Sequence, residues 1–190
     1  MTNQYEKELF ENLYREHIHR PGSEELLSWL NQTDFFTAPA STKYDMAVPH
    51  GLVNHSIGMY QRLTTLVKME NLKVSDESVA IVGLLHDVGK ANYFAEEEKN
   101  VKNAQGQWVK QKYYTIKDAL PLGEAKSLFL ISSVMHLTPE EAMAIRWVKG
   151  GFDTAAKNNS PVVSNAFRDC PLAVLASIAD TMAIYLYLPF

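Results

Sequence analysis

Apolar residues recur along most of this chain at the spacing of a helix face, and one stretch alternates instead. Leu9, Phe10, Leu13 and Tyr14 stripe residues 4 to 17 and predict an amphipathic helix, which Pro21-Gly22 breaks. Ser23, followed by Glu24, Glu25 and the apolar Leu26, Leu27, Trp29 and Leu30, predicts a short second helix with Ser23 as its cap and the acids at the positive end of its dipole. Thr33 to Pro49 carries turn residues without periodicity and reads as an ordered loop. The helical pattern resumes over Leu52 to Met69. Asp76 is placed to cap the next helix, whose residues Val79 to Val88 are nearly all apolar, as in a helix buried inside a bundle.

Residues 96 to 117 are the exception. Polar and apolar positions alternate there on either side of Asn103-Ala104-Gln105-Gly106, which predicts a β-hairpin. Beyond it, Leu122 to Met135 and Pro139 to Val148 return to helix. Thr138 is the cap of the latter, Pro139 its first residue and Gly150-Gly151 its stop. Pro161 to Arg168 reads as a short helix and Pro171 to Leu188 as a long apolar one. No repeat or linker divides the chain. The prediction is one all-α domain over 1–190, a helical bundle with N-terminal helices in 1–33 and a small β-hairpin inserted at about 96–117.

Composition narrows the class. The chain has 190 residues, 46% hydrophobic and 21% charged, enough to bury one core, and its aromatic and aliphatic residues recur too evenly for disorder. No apolar run of about 18 residues exists to span a membrane. The start, MTNQYEKELFENLYREH, is acidic where a secretory signal is basic and then apolar, so a cytoplasmic protein is expected. Cys170 is the single cysteine, which excludes a thiolate metal cluster, and a net charge of −4 gives no strong pull on nucleic acid.

Candidate chemistry lies in polar interruptions of apolar helices. His86-Asp87 interrupts AIVGLLHDVGKA, His55 lies in GLVNHSIGMY, and Asp180 is the only formal charge after Asp169. The dipeptide alone is weak, since six His and eight Asp give about a quarter of one chance occurrence, and a hydrogen-bonded core pair would explain it as well. Two imidazoles and two carboxylates on three buried helices satisfy one another most cheaply around one divalent cation. His86 and Asp87, about 100° apart on a helix, both reach such an ion only over the helix edge near Gly89. His17 and His19 sit on a charged face and read as solvated. His50, after a proline, and His136, at a helix end, read as surface or supporting residues.

The order His55, His86-Asp87, Asp180, within GLVNHS, LLHDVGK and ASIAD, resembles the HD-domain metal-dependent phosphohydrolases. The runs DFFTAPASTKYD, NVKNAQGQW and EEAMAIRW followed by GGFD look like a branch of small HD proteins of phages and prophages, so the likeness covers the chain from about Asp34 onward. The resemblance implies an HD-domain helical bundle in which His55, His86, Asp87 and Asp180 bind a divalent metal, with Mn, Co, Fe, Ni, Mg and Zn all left open. Members of that branch carry further histidines where this chain has Asp45, Gly123-Glu124-Ala125 and Val148, so one ion rather than two is expected.

The expected activity is hydrolysis of a nucleotide or related small phosphoester. Asp87 would both bind the metal and orient the water, and Lys90 would place an ammonium over the phosphate. Lys90 reads equally as a lysine answering a helix C-terminus. Arg146 and Lys43 are further substrate-binding candidates, though a solvated charge or a structural ion pair explains each better on spacing alone. Trp108, Tyr113 and Tyr114 either stack on a base or, the commoner outcome, pack the hairpin on the bundle. A catalytically reduced phosphate-binding module is the alternative, and a purely structural helical domain the third reading. The long C-terminal helix fits a homodimer contact or core burial alike.

Overall fold

In the computed structural model, which describes residues 2–43, 46–156 and 161–186, the predicted helices form with several ends moved. They are α1 (Thr2–His17), α2 (Ser23–Asn31), α3 (Gly51–Met69), α4 (Asp76–Leu85), α5 (Lys126–Ser132), α6 (Pro139–Arg146), α7 (Val162–Asp169) and α8 (Pro171–Tyr185), with strands β1 (Phe94–Lys102) and β2 (Trp108–Ile116) between α4 and α5. The result is mostly helical with one small antiparallel sheet. The segment around residues 33–49 is an irregular, partly buried loop, as its turn residues predict.

Two caps differ from expectation. Gly22, not Ser23, precedes α2. It holds φ at +92°, and a Cβ there would lie 1.9 Å from the Val134 carbonyl oxygen. Only glycine satisfies both conditions, so Ser23 becomes the first helical residue, buried, with its carbonyl accepting the Tyr14 hydroxyl at 2.7 Å. At α4 the extended Ser75 accepts the Ser78 N–H at 3.0 Å, and Asp76 moves inside the first turn, where its charge still meets the dipole. The cap of α6 forms as predicted, with Thr138 and Glu141 exchanging side-chain-to-backbone hydrogen bonds.

Other boundaries contract. A 3-10 turn at Gly123–Ala125 precedes α5, which is shorter than the 122–135 pattern suggests. Helix α6 ends at Arg146, before the glycines, where the Arg146 guanidinium stacks on the Trp147 ring and pairs with the buried Asp153. Helix α8 ends at Tyr185 with Leu186 as its C-cap, and Leu188, where its pattern suggests an end, lies outside the described residues.

Helix α3 packs against both α4 and α8, and a continuous core runs from Phe10 and Tyr14 through Leu52, Leu63, Ile81 and Leu84 to Ala176 and Ala179. The backbones of α3 and α4 come close where Gly83 meets Tyr60: a Cβ on Gly83 would lie 2.6 Å from the Tyr60 Cα. A polar network ties the far ends together. Glu141 on α6 is fully buried and accepts from both terminal nitrogens of Arg20, at 2.7 and 2.9 Å, and from the Ser78 hydroxyl at 2.6 Å.

The hairpin pairs Phe94 with Ile116 through to Lys102 with Trp108, around a turn in which Gly106 takes φ +77°. Tyr113 and Tyr114 are half-buried, but Trp108 is 69% exposed beneath the Lys102 ammonium, so the expected packing of that ring on the bundle does not occur. The reason is reach, since nine strand residues at about 3.3 Å each carry the tip away from the helices. No single helix among the described residues is long and apolar enough to cross a membrane.

Candidate metal centre

Three elements bring four polar side chains to one point in the core. His55 lies on the buried face of α3, and Asp180 on α8 faces it, with His55 Nε2 3.0 Å from Asp180 Oδ1. His86 is the C-cap of α4, and Asp87 lies outside the helix with φ −110° and ψ 17°. That departure is how two chain neighbours reach the same point, which continuous helix geometry would have set about 100° apart. His86 Nε2 lies 3.1 Å from His55 Nε2 and 3.5 Å from Asp180 Oδ1, and Asp87 Oδ2 is 3.5 Å from both imidazoles. All four residues are buried and offer ligand atoms within 4.8 Å of one another.

Separations of 3.0 to 3.5 Å match the edges of a coordination polyhedron whose corners lie about 2.0 to 2.2 Å from its centre. The tautomers fit as well. His86 Nδ1 lies 3.0 Å from the Gly83 carbonyl oxygen, which can only accept, so Nδ1 carries a proton and Nε2 faces the cluster. Two imidazole nitrogens at 3.1 Å with carboxylates beside them need a proton or a cation between them. His55 Nδ1 has no hydrogen-bond partner among the described residues. These observations fit a divalent ion held by two nitrogens and two oxygens, a donor set that suits first-row metals and leaves its identity open.

Electrostatics point the same way. Burial lowers the basicity of His55, and the neighbouring His86 adds to that against the pull of Asp180. His86 is likewise penalised by burial, but Asp87 and Asp180 outweigh it and push its pKa to about 9. Burial would raise both carboxyls, yet both stay below the usual carboxylate range. Lys90 and Lys149 beside Asp87, and the two histidines beside Asp180, keep them ionised. Without metal, the raised basicity of His86 favours a proton where the cation would sit.

Lys90 donates to Asp87 Oδ2 at 2.6 Å and to the Ala40 carbonyl at 2.9 Å, and it borders the cavities on either side of the cluster. Lys43 lines the larger of these, about 440 Å³, together with His55, Met46 and Tyr185. Arg146 does not join them, being taken up by its ion pair with buried Asp153. His50 caps α3 and donates through Nδ1 to the Phe36 carbonyl, while His136 is exposed. Of the positions expected to lack a second ion's ligands, Val148 is core and Asp45 lies outside the described residues.

Sequence reasoning missed Lys149, whose ammonium is 4.0 Å from both Asp87 Oδ1 and Glu124 Oε2. Its only signal was a lysine before Gly150-Gly151, indistinguishable from an ordinary helix-end lysine. The ammonium already places a positive charge beside Asp87 where a second cation would compete for it. Protein-family models, curated proteins and solved structures yield no match to this chain.

Proposed function

We propose that this chain is a metal-dependent phosphohydrolase of the HD-domain type, acting on a nucleotide or related small phosphoester. The observation that supports it is the buried His55, His86, Asp87 and Asp180 cluster, of which His55 borders a cavity of about 440 Å³ lined also by Lys43, Lys90 and Lys149, while His86 and Asp87 border the smaller one beside it. When bound there, a divalent ion supplies a more acidic water and a counter-charge for a phosphate oxygen. The chain's own groups do the rest. His86, fixed through Gly83, and His55 hold neutral nitrogens toward the cluster, and Asp180 closes it from α8. Asp87 is held at Oδ2 by Lys90, which keeps the carboxylate ionised and fixes its plane, leaving Oδ1 to accept a proton-bearing group. The lysines give the cavity the sign that a phosphoester seeks.

Elemental analysis of protein purified without chelator should find one divalent ion per chain, and two tightly held ions would refute the single-metal site. Phosphate release from a panel of nucleoside mono-, di-, tri- and cyclic phosphates, with Mn²⁺ or Co²⁺ added, should occur for at least one member. Metal retention with no release from any member would overturn hydrolysis in favour of the phosphate-binding module.

A further inference from the structure

The two ammonium groups beside the cluster differ in what they hold. Lys90 spends two of its three N–H donors within the protein, on Asp87 and on the Ala40 carbonyl. Lys149 has no hydrogen-bond partner for its ammonium among the described residues. The carboxylate oxygens nearest it stand at 4.0 Å, too far for hydrogen bonds but close enough to keep the group charged. Its side chain is 23% exposed and borders both cavities, the larger one beside His55 and a smaller one of about 200 Å³ beside His86 and Asp87.

The backbone fixes this placement. Gly150 follows with φ +50°, and a Cβ there would lie 2.5 Å from the Ser177 hydroxyl of α8, one turn before Asp180. The residue that carries the free ammonium therefore precedes a close backbone approach to the helix that carries a cluster carboxylate. Charge adds a second reason. With a divalent cation present Asp87 and Asp180 are balanced, Lys90 and Lys149 leave two positive charges, and Glu124 removes one. The site is left cationic next to an ammonium whose donors are unfilled.

We propose that Lys149 is the residue that receives the phosphate group of the ligand, and that Lys90 is a positioning residue that holds Asp87. This rests on the phosphohydrolase reading only in expecting a phosphate-bearing ligand. A charge-assisted hydrogen bond from an ammonium to a phosphate oxygen needs donors that are free and a path from solvent, and of these two lysines Lys149 meets the first condition more fully.

The test uses inorganic phosphate on the full chain loaded with Mn²⁺, followed by titration calorimetry and independent of turnover. Lys149→Met, which keeps the reach and removes the charge, should weaken phosphate binding by about tenfold or more. Lys149→Arg should restore most of it. Because Lys149 stands beside Asp87, Mn²⁺ affinity is titrated for each variant and phosphate binding is compared at Mn²⁺ concentrations that saturate all of them. On the unmodified protein, phosphate should shield Lys149 from reductive methylation, read by peptide mass mapping, which covers the case that Lys149→Met does not fold. Undetectable phosphate binding by wild type, equal binding by Lys149→Met, or unshielded Lys149 would each overturn the assignment. Phosphate binding that depends on Lys149 in a protein that hydrolyses nothing would sustain it while the hydrolase reading fails.

Discussion

At the scale of single residues, Asp87 separates structure from chemistry. Asn keeps its shape and one oxygen but removes the charge that Lys90 and Lys149 face. If Asp87 only balanced charge in the core, Asp87→Asn would change stability modestly and leave any hydrolysis intact. As a ligand that also orients water, it should lose about 10- to 100-fold in metal affinity, and turnover with it. Metal titration of the variant with phosphate release in saturating Mn²⁺ decides the matter, and wild-type values for both would remove Asp87 from the site. Asp87 was legible because a carboxylate in AIVGLLHDVGKA has to be compensated. Lys149 was not, because a lysine at a helix end already has a sufficient explanation.

At the scale of elements, the fold joins segments far apart in sequence through a few buried polar contacts. Glu141 caps α6 through Thr138 and at the same time receives Arg20, from the turn between α1 and α2, and Ser78 of α4. Without Glu141, Arg20 keeps Glu77 and the His136 carbonyl, but the buried Ser78 hydroxyl and the Thr138 N–H lose their acceptor. Glu141→Ala should therefore lower stability by about 2 kcal/mol, measured by urea unfolding. A loss under about 1 kcal/mol, the range of exposed pairs, would show that the network contributes little. The cap was visible as Thr138-Pro139-Glu140-Glu141. Its second role was not, since no spacing rule links residues 20, 78 and 141.

For the whole molecule, the cluster sets how stability and metal binding follow pH. His86 is raised from 6.5 to about 9, so in the metal-free protein its contribution is complete below 6.5 and is lost as pH rises through about 9. His55 is lowered from 6.5, and Asp87 and Asp180 from 3.8, so their contributions are lost as pH falls below those values. Thermal stability of chelator-treated protein should peak near pH 6.5 and fall toward pH 9, whereas metal affinity should rise over that alkaline range as the proton on His86 is displaced. Melting curves with and without Mn²⁺ at half-unit pH steps test this, and a metal-free profile flat from pH 6.5 to 9 would contradict it.

The sequence by itself determined the helical class, the order of elements and the hairpin, because periodicity, turn residues and the Thr138 cap are local signals. It also marked His55, His86, Asp87 and Asp180, since a polar group in an apolar helix demands a partner wherever that partner lies. Only the tertiary structure decided that these four meet. Asp87 leaves the helix to face His86, and α8 lies against α3 so that Asp180 reaches His55 at 3.0 Å. It alone moved the caps to Gly22 and Ser75, left Trp108 in solvent and gave Lys149 its free ammonium. Each of those depends on what stands opposite a residue in space: the Val134 carbonyl against Gly22, Ser177 against Gly150, and nothing against the hairpin tip. Local pattern records which residues need burial or a partner, and packing chooses the partner.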